Sequence, residues 1–244
     1  MKDALHDIVQ YTHKLGLFNL IKIIGSDSNT LINGLAEDST AVLDAKFHNP
    51  IPELVGTFGM PNLNKLSIIL DIQEYKEDAK LSLAHKTEND VTYPTGINFE
   101  NKAGDFKNHY RFMSGNVVAE KLKTVKFRGV SSWDIEVTPS VLSIQRFKFQ
   151  RQANSEETRF VASTNGNKLE FYFGDKSNHG GDFVFHQGIT GKLVSSKVWP
   201  ISVFESIFNL PGDKIVRFSD QGISQIAVDS GLALYTYTIP ALSK

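Results

Sequence analysis

The chain contains no cysteine. Disulfides, thiolate metal sites and cysteine nucleophiles are therefore excluded, and an intracellular setting is expected. Nor is there a run of about 18 uninterrupted apolar residues, so no membrane span is expected. The opening stretch MKDALHDIVQYTHKLG carries Asp3, His6 and Asp7 where a secretion signal needs an apolar run. Excess charge of one sign is also missing: 26 Lys+Arg stand against 27 Asp+Glu, a formal net charge of -1. A protein that holds nucleic acid by bulk attraction is normally strongly basic. Any such role here must come from how the charges are arranged.

The usual catalytic patterns are missing too. Gly188–Leu193 (GITGKL) has neither the spacing nor the Ser/Thr of a phosphate-binding loop and reads as a turn. The histidines form no His-x-x-x-His pair. His6 and His13, seven positions apart, share a helix face as two surface histidines would. There is no Gly-x-Ser-x-Gly elbow. Glu74, Glu77 and Asp78 read as a solvated turn, while a dispersed pair of catalytic carboxylates stays open as a rival reading. No cofactor and no metal are expected, and no enzymatic activity.

What is present is a duplication. At 244 residues two domains are expected. Four segments have helical spacing or helix-start signals: Asp3–Lys14, Asn62–Asp71 with Pro61 at its start, Ser140 to Gln152 with Ser140 as N-cap, and Ile201–Leu210, stopped by Pro211-Gly212. Most other segments alternate or are β-branched, as strands are: 17–24, 40–47, 80–86, 182–187, 192–198, 213–219, 223–229 and 232–239. Asn165-Gly166 between two alternating runs predicts a type I′ hairpin turn. Pro61 and Pro200, Ser67 and Ser206, Ile68 and Ile207 all stand at one constant offset. Each half reads as two helices with antiparallel sheet, an α+β arrangement. The expected division is an N-terminal domain at 1–115, a connector at 116–134 and a C-terminal domain at 135–244. Ser114–Trp133, with Lys121, Lys123, Lys126 and Arg128 against Glu120, reads as extended.

The ordered set resembles the two-domain DNA-polymerase sliding clamps, which include the T4-type phage clamp and proliferating cell nuclear antigen. The stretches that carry it are the opening helix running into LFNLIKIIGSDSNTLINGLAEDSTAVLDAKF and MPNLNKLSIILDI. In the second half they are IEVTPSVLSIQRFKFQR and WPISVFESIFNLPGDKIVRFSDQGISQIAVDSGLALYTYTIPAL. Together they span nearly the whole chain. The resemblance implies a duplicated clamp fold in which three subunits close a ring, with helices lining the hole and sheets forming the wall. It implies a non-catalytic processivity factor that encircles duplex DNA without reading its sequence and tethers the replicative polymerase. A loader that hydrolyses ATP would open the ring.

Topology would then hold the ring on DNA, so a nearly neutral chain needs only a mildly positive inner face. The residues that would face DNA are His6, Gln10, His13 and Lys14 on the first helix, Asn64 and Lys65 on the second, and Gln145, Arg146, Lys148, Gln150 and Arg151 on the third. The fourth offers Glu205 and no cation, so an uneven lining is expected. Partner peptides would dock against Phe127, Val130 and Trp133 with Tyr237, Pro240 and Leu242, where core filling is the competing role. Subunits would join along Phe106–Met113 and Asp182–His186, with Phe106, His109, Arg111, Asp182 and Val184 at the junction. The rival of a different class is a two-domain β-rich binding or virion structural protein with no DNA association.

Overall fold

A computed structural model describes residues 1–88, 91–122, 130, 132–174 and 179–242. The chain divides into two compact units, Met1–Lys126 with Ser230–Tyr235, and Phe127–Asp229 with Thr236–Lys244.

Unit 1 opens with α1 (Lys2–Tyr11), whose Leu5, Ile8 and Val9 are buried on one face, and a 3-10 turn over His13–Leu15. Four strands follow: β1 (Leu20–Gly25), β2 (Thr30–Leu35), β3 (Val42–Phe47) and β4 (Gly56–Pro61). Then come α2 (Leu63–Asp71), a 3-10 turn at Gln73–Tyr75, β5 (Lys80–Glu88), β6 (Val91–Glu100), β7 (Lys107–Arg111), the two-residue β8 (Met113–Ser114) and α3 (Gly115–Lys121). The first sheet runs β8-β4-β1-β2-β3 and the second β5-β6-β7. The distant segment Ser230–Tyr235 joins this unit by chemistry as well as proximity. His48 N–H donates to Leu232 C=O at 2.9 Å, Tyr235 Oη donates to Asp7 Oδ2 at 2.7 Å, and Tyr11 stacks on Tyr235 with ring centroids 4.7 Å apart.

Unit 2 contains β9 (Ile135–Val137), α4 (Val141–Ala153), β10 (Arg159–Asn165), β11 (Lys168–Gly174), β12 (Gly180–Gln187), β13 (Lys197–Pro200), α5 (Ile201–Phe208), β14 (Asp213–Ser219), β15 (Ile223–Asp229) and β16 (Ala233–Pro240). Its sheets run β12-β11-β10-β13 and β16-β15-β14-β9. The duplication is thus present element by element. In each unit a helix is followed by three antiparallel strands, a fourth strand that pairs back onto the first, a second helix and three more strands.

Local chemistry accounts for the boundaries. Ser140 Oγ accepts the Ser143 N–H at 3.0 Å and so starts α4 where its capping role predicts. Pro61 does not start α2: it ends β4, opposite Leu20. Asn62 is the cap instead, in the left-handed region at φ 52°, with its side chain accepting the Lys65 N–H. Asparagine tolerates that conformation and can bond the orphan amides. The hairpin between β10 and β11 is present, but Asn165 pairs with Lys168, which makes Gly166-Asn167 the central pair. Gly166 has φ 57° and Asn167 is not among the residues of positive φ, a type II′ turn in place of the expected I′.

The expected extended connector is helical at its start. α3 forms because Val118 buries completely over Gly59, where an added Cβ would stand 2.8 Å from Val118 Cβ. Lys123, Lys126, Phe127 and Arg128 lie outside the described residues. The core of unit 1 is mainly aliphatic, with Leu5, Ile8, Ile21, Ile23, Ile32, Leu43, Leu63 and Leu66 at or near zero exposure. Unit 2 is built on rings. Phe147 lies 5.2–5.3 Å from Phe160, Phe173 and Phe208, and Phe171 stacks on Phe185 at 4.3 Å. Burying each such side chain stabilises by roughly 1.5–3 kcal/mol.

Candidate functional site

The helices present the polar faces that the candidate site needs, but unevenly. In unit 1, His6 and Lys14 are exposed, whereas Gln10 and His13 are half-buried, His13 in the 3-10 turn after α1. Burial, then the neighbouring Lys2, holds the His6 pKa below its ordinary value, with Asp71 of α2 pulling the other way. His6 is therefore more often a neutral hydrogen-bonding group near pH 7 than a free histidine is. On α2, Asn64 and Lys65 are exposed, and so is Ile68, at 58%. Beyond that helix, Lys2 Nζ reaches across to donate to the Tyr75 and Lys76 carbonyls, each at 2.7 Å.

In unit 2 the outward face of α4 is not quite the one expected. Phe147 and Ser143 turn inward. Gln145 and Arg146 are therefore exposed, while Lys148, Gln150 and Arg151 lie on the flanks, half-buried. Arg151 is engaged within the unit: its Nε is 3.6 Å from Glu205 Oε2 and its Nη1 donates to Ser155 C=O at 2.8 Å. Gln150 donates to Asp182 C=O at 3.4 Å and accepts from Asn154. The lone acid of α5 is thus partnered, and Arg146 is the cation that α4 offers outward.

Two features escape a reading of the sequence. Val141, Leu142 and Phe149 share the outward side of α4, Phe149 at 63% exposure. Lys214, on β14, turns in toward the loop after α5, donating to Leu210 C=O at 2.6 Å and Gly212 C=O at 2.9 Å. Burial, then repulsion from Lys148, lowers its pKa. Alternation along β14 is the signal that could have found it, since Lys214 stands in phase with the buried Val216 and Phe218.

The remaining candidates separate by exposure. Tyr237 is fully buried and belongs to the core, because β16 alternates inward at Ala233, Tyr235, Tyr237 and Ile239. Of the other expected partner-peptide residues, Val130, Trp133 and Pro240 are half-buried and Leu242 is exposed; Phe127 lies outside the described residues. Leu242 N–H donates to Val198 C=O at 2.9 Å, which draws the tail along β13. Phe106, His109 and Arg111 are exposed at β7, an end strand of its sheet; His109 Nδ1 bonds Asn98 Oδ1 at 2.6 Å. Asp182 is exposed and Val184 half-buried on β12, also an end strand. Among the described residues no three His, Asp or Glu side chains gather as metal ligands.

No protein-family model matches this sequence, and no curated protein sequence is significantly similar to it. Solved structures are. The chain is similar to PCNA from Thermococcus kodakaraensis, with a TM-score of 0.66 at 12% identity over 98% of this chain and 97% of that one. It is similar to A. fulgidus PCNA, solved with the C-terminal region of FEN-1 bound, with a TM-score of 0.65 at 8% identity over 100% and 95%. The PCNA2–PCNA3 complex from Sulfolobus tokodaii gives 0.64 at 14% identity over 100% and 97%. The fold is that of a DNA sliding clamp. Within that clamp fold, α1, α2, α4 and α5 are the four helices that recur in the duplicated pattern, and α3 stands outside it.

Proposed function

We propose that this chain is a DNA-polymerase sliding clamp, a non-catalytic subunit whose homotrimeric ring encircles duplex DNA and gives the replicative polymerase processivity. The observation that carries the reading is the similarity to PCNA structures over 98–100% of the chain, so that both copies of the repeat are matched. The two copies, 1–115 and 135–244 with the connector 116–134 between them, would be the clamp domains. An ATP-dependent loader would open the ring.

The charge distribution supports the reading. A net charge of -1 is too small to hold DNA by attraction, and a closed ring does not need it to. Exposed Lys65 and Arg146 lie on helices of the repeat, and exposed Lys14 in the 3-10 turn after α1 and not on the helix where it was expected; all three would give phosphates a weak, sequence-independent welcome. Lys148 and Arg151 would add to the field from the flank of α4, and His6, Gln10, His13, Gln145 and Gln150 would offer hydrogen bonds.

The repeat itself supports closure. β12, third in its copy, and β7, last in its copy, each end their sheet. A head-to-tail neighbour would pair β7 of one subunit with β12 of the next, removing two free edges and closing a ring. Phe106, His109 and Arg111 would meet Asp182 and Val184 there. A. fulgidus PCNA binds the C-terminal region of FEN-1; here Val130, Trp133, Pro240 and Leu242 would form the surface for a partner peptide.

The test is loading. Arg146→Glu with Lys148→Glu is expected to impair retention on nicked circular DNA in the presence of polymerase and loader, with the circular dichroism spectrum unchanged. Full retention by the double variant would contradict the assignment of this face to DNA.

A further inference from the structure

After its second helix each unit builds the same three antiparallel strands, β5-β6-β7 in unit 1 and β14-β15-β16 in unit 2. In unit 2 the outer edge of the first of these is covered. β9 pairs with β14, setting Ile135, Glu136 and Val137 opposite Phe218, Arg217 and Val216. Ile135 and Val137 are buried; Glu136 is exposed and accepts the Arg217 Nε–H at 2.6 Å. The loop between the third and fourth strands of that unit holds β9 from the side. An added Cβ at Gly191 would stand 1.7 Å from Asp134 C=O, so glycine alone admits the incoming strand.

Unit 1 has the receiving half of this arrangement. β5, nine residues long, ends its sheet, and among the described residues no strand lies along its outer edge. An edge of that length displays backbone donors and acceptors to any extended chain. Beside it lies an open groove of about 490 Å3, lined by Pro52 and Val55 from the loop between β3 and β4 and by Leu81, Leu83 and Pro94 from the sheet, with Met1 and Glu53 also lining it, their ammonium and carboxylate 3.8 Å apart. That loop occupies the same place in its copy as the loop bearing Gly191 does in the other. Val55 is 41% exposed, and Leu81 and Leu83 are half-exposed, whereas Val216 and Phe218 of β14 are wholly buried.

We propose that the outer edge of β5 and this groove form a docking site for an extended segment of a partner protein, added as a strand, in which two apolar residues flank an acidic one. β9 is the internal template for that chemistry. Backbone hydrogen bonds supply the affinity and alternate side chains the specificity. The apolar pair fills the groove over Leu81 and Leu83, and the acid, on the other face of the added strand, lies on the side of Lys80, which is exposed on β5 as Arg217 is presented to Glu136. The inference stands on the topology of the two units and does not depend on DNA encirclement.

The test adds a synthetic octapeptide with the sequence of residues 132–139 (SWDIEVTP) to the full chain, followed by fluorescence anisotropy and hydrogen-exchange mass spectrometry. Slowed exchange over residues 80–88 is expected. Val55→Asp, at an exposed position, is expected to weaken binding by at least about tenfold without moving the melting temperature. A peptide with Ser in place of its Ile and Val is expected not to bind, which keeps the test independent of any folding defect in the variant. Absence of protection over 80–88 at millimolar peptide, protection at β14 alone, or binding indifferent to Val55→Asp would each overturn the proposal. Self-association that Val55→Asp abolishes, without peptide binding, would give the edge to a second copy and overturn the partner assignment.

Discussion

The two units carry one topology in different materials. Unit 1 packs aliphatic side chains around Leu5, Ile21 and Leu66, while unit 2 interlocks Phe147, Phe160, Phe171, Phe173, Phe204, Phe208 and Phe218 with Trp199. The helices align from their first residues, so that Leu66 and Phe204 and then Ile69 and Ile207 hold equivalent buried positions, whereas Ile68, 58% exposed, corresponds to Ser206 and not to Ile207. Both units satisfy the carbonyls beyond their second helix with a lysine from another element, Lys2 in one and Lys214 in the other. The difference teaches that the repeat conserves where backbone groups are satisfied and which faces turn inward. The bulk that fills the interior is free to vary, as volume-conserving repacking allows.

That comparison can be broken or sharpened by mutation. The largest effect is expected from Phe147→Ala, at about 3–5 kcal/mol, because the cavity would open among several rings that cannot all collapse into it. Denaturant unfolding measures it, and a cost below that of Leu66→Ala would show that the aromatic core is looser than its geometry. Next comes Asn62→Ala, at roughly 2 kcal/mol, since it removes a cap and forces a β-carbon residue into the left-handed region. Asn62→Gly should recover about half of that loss, because glycine accepts the same φ at little cost. Ser140→Ala, in the other copy, loses only a cap on ordinary backbone, about 1 kcal/mol; equal costs for the two alanine variants would remove the distinction drawn between the two helix starts.

The smallest effects are on pH dependence. Lys214 is held below its ordinary pKa, so just below pH 10.5 the unfolded chain binds more protons than the folded one, and stability is expected to rise with pH there. Lys214→Met should abolish that alkaline rise in melting temperature. His6 is also lowered, so its contribution is present above pH 6.5 and is lost as pH falls through the window below it. A proton NMR titration of His6 with its midpoint at or above 6.5 would contradict the burial argument.

Much of this organisation was legible in the sequence because it rests on periodicity and caps. α4 begins where Ser140 predicts and α5 at Ile201 as its apolar spacing predicts, and the strands over 213–219 and 223–229 match their alternating runs. The misreadings have specific causes. Pro61 suits a helix start and a strand end equally, and only the capping geometry of Asn62 decides between them. α3 has no amphipathic period to read and depends on the space that Gly59 leaves. The outward face of α4 is ambiguous because only Ser143 and Phe147 are buried and apolar residues lie on both sides. Tyr237 could have been assigned to the core from its alternation with Tyr235 and Ile239. The open edge of β5 was not legible, since it emerges only when one copy is compared with the strand that covers the other.

The most direct test of the central claim is the absolute mass in solution, by light scattering or sedimentation over a range of concentrations. The account predicts a species at three times the 27.2 kDa chain mass, or a monomer–trimer equilibrium that reaches it as concentration rises. A strict monomer or dimer at the highest concentrations would contradict the ring and leave a clamp fold put to another use.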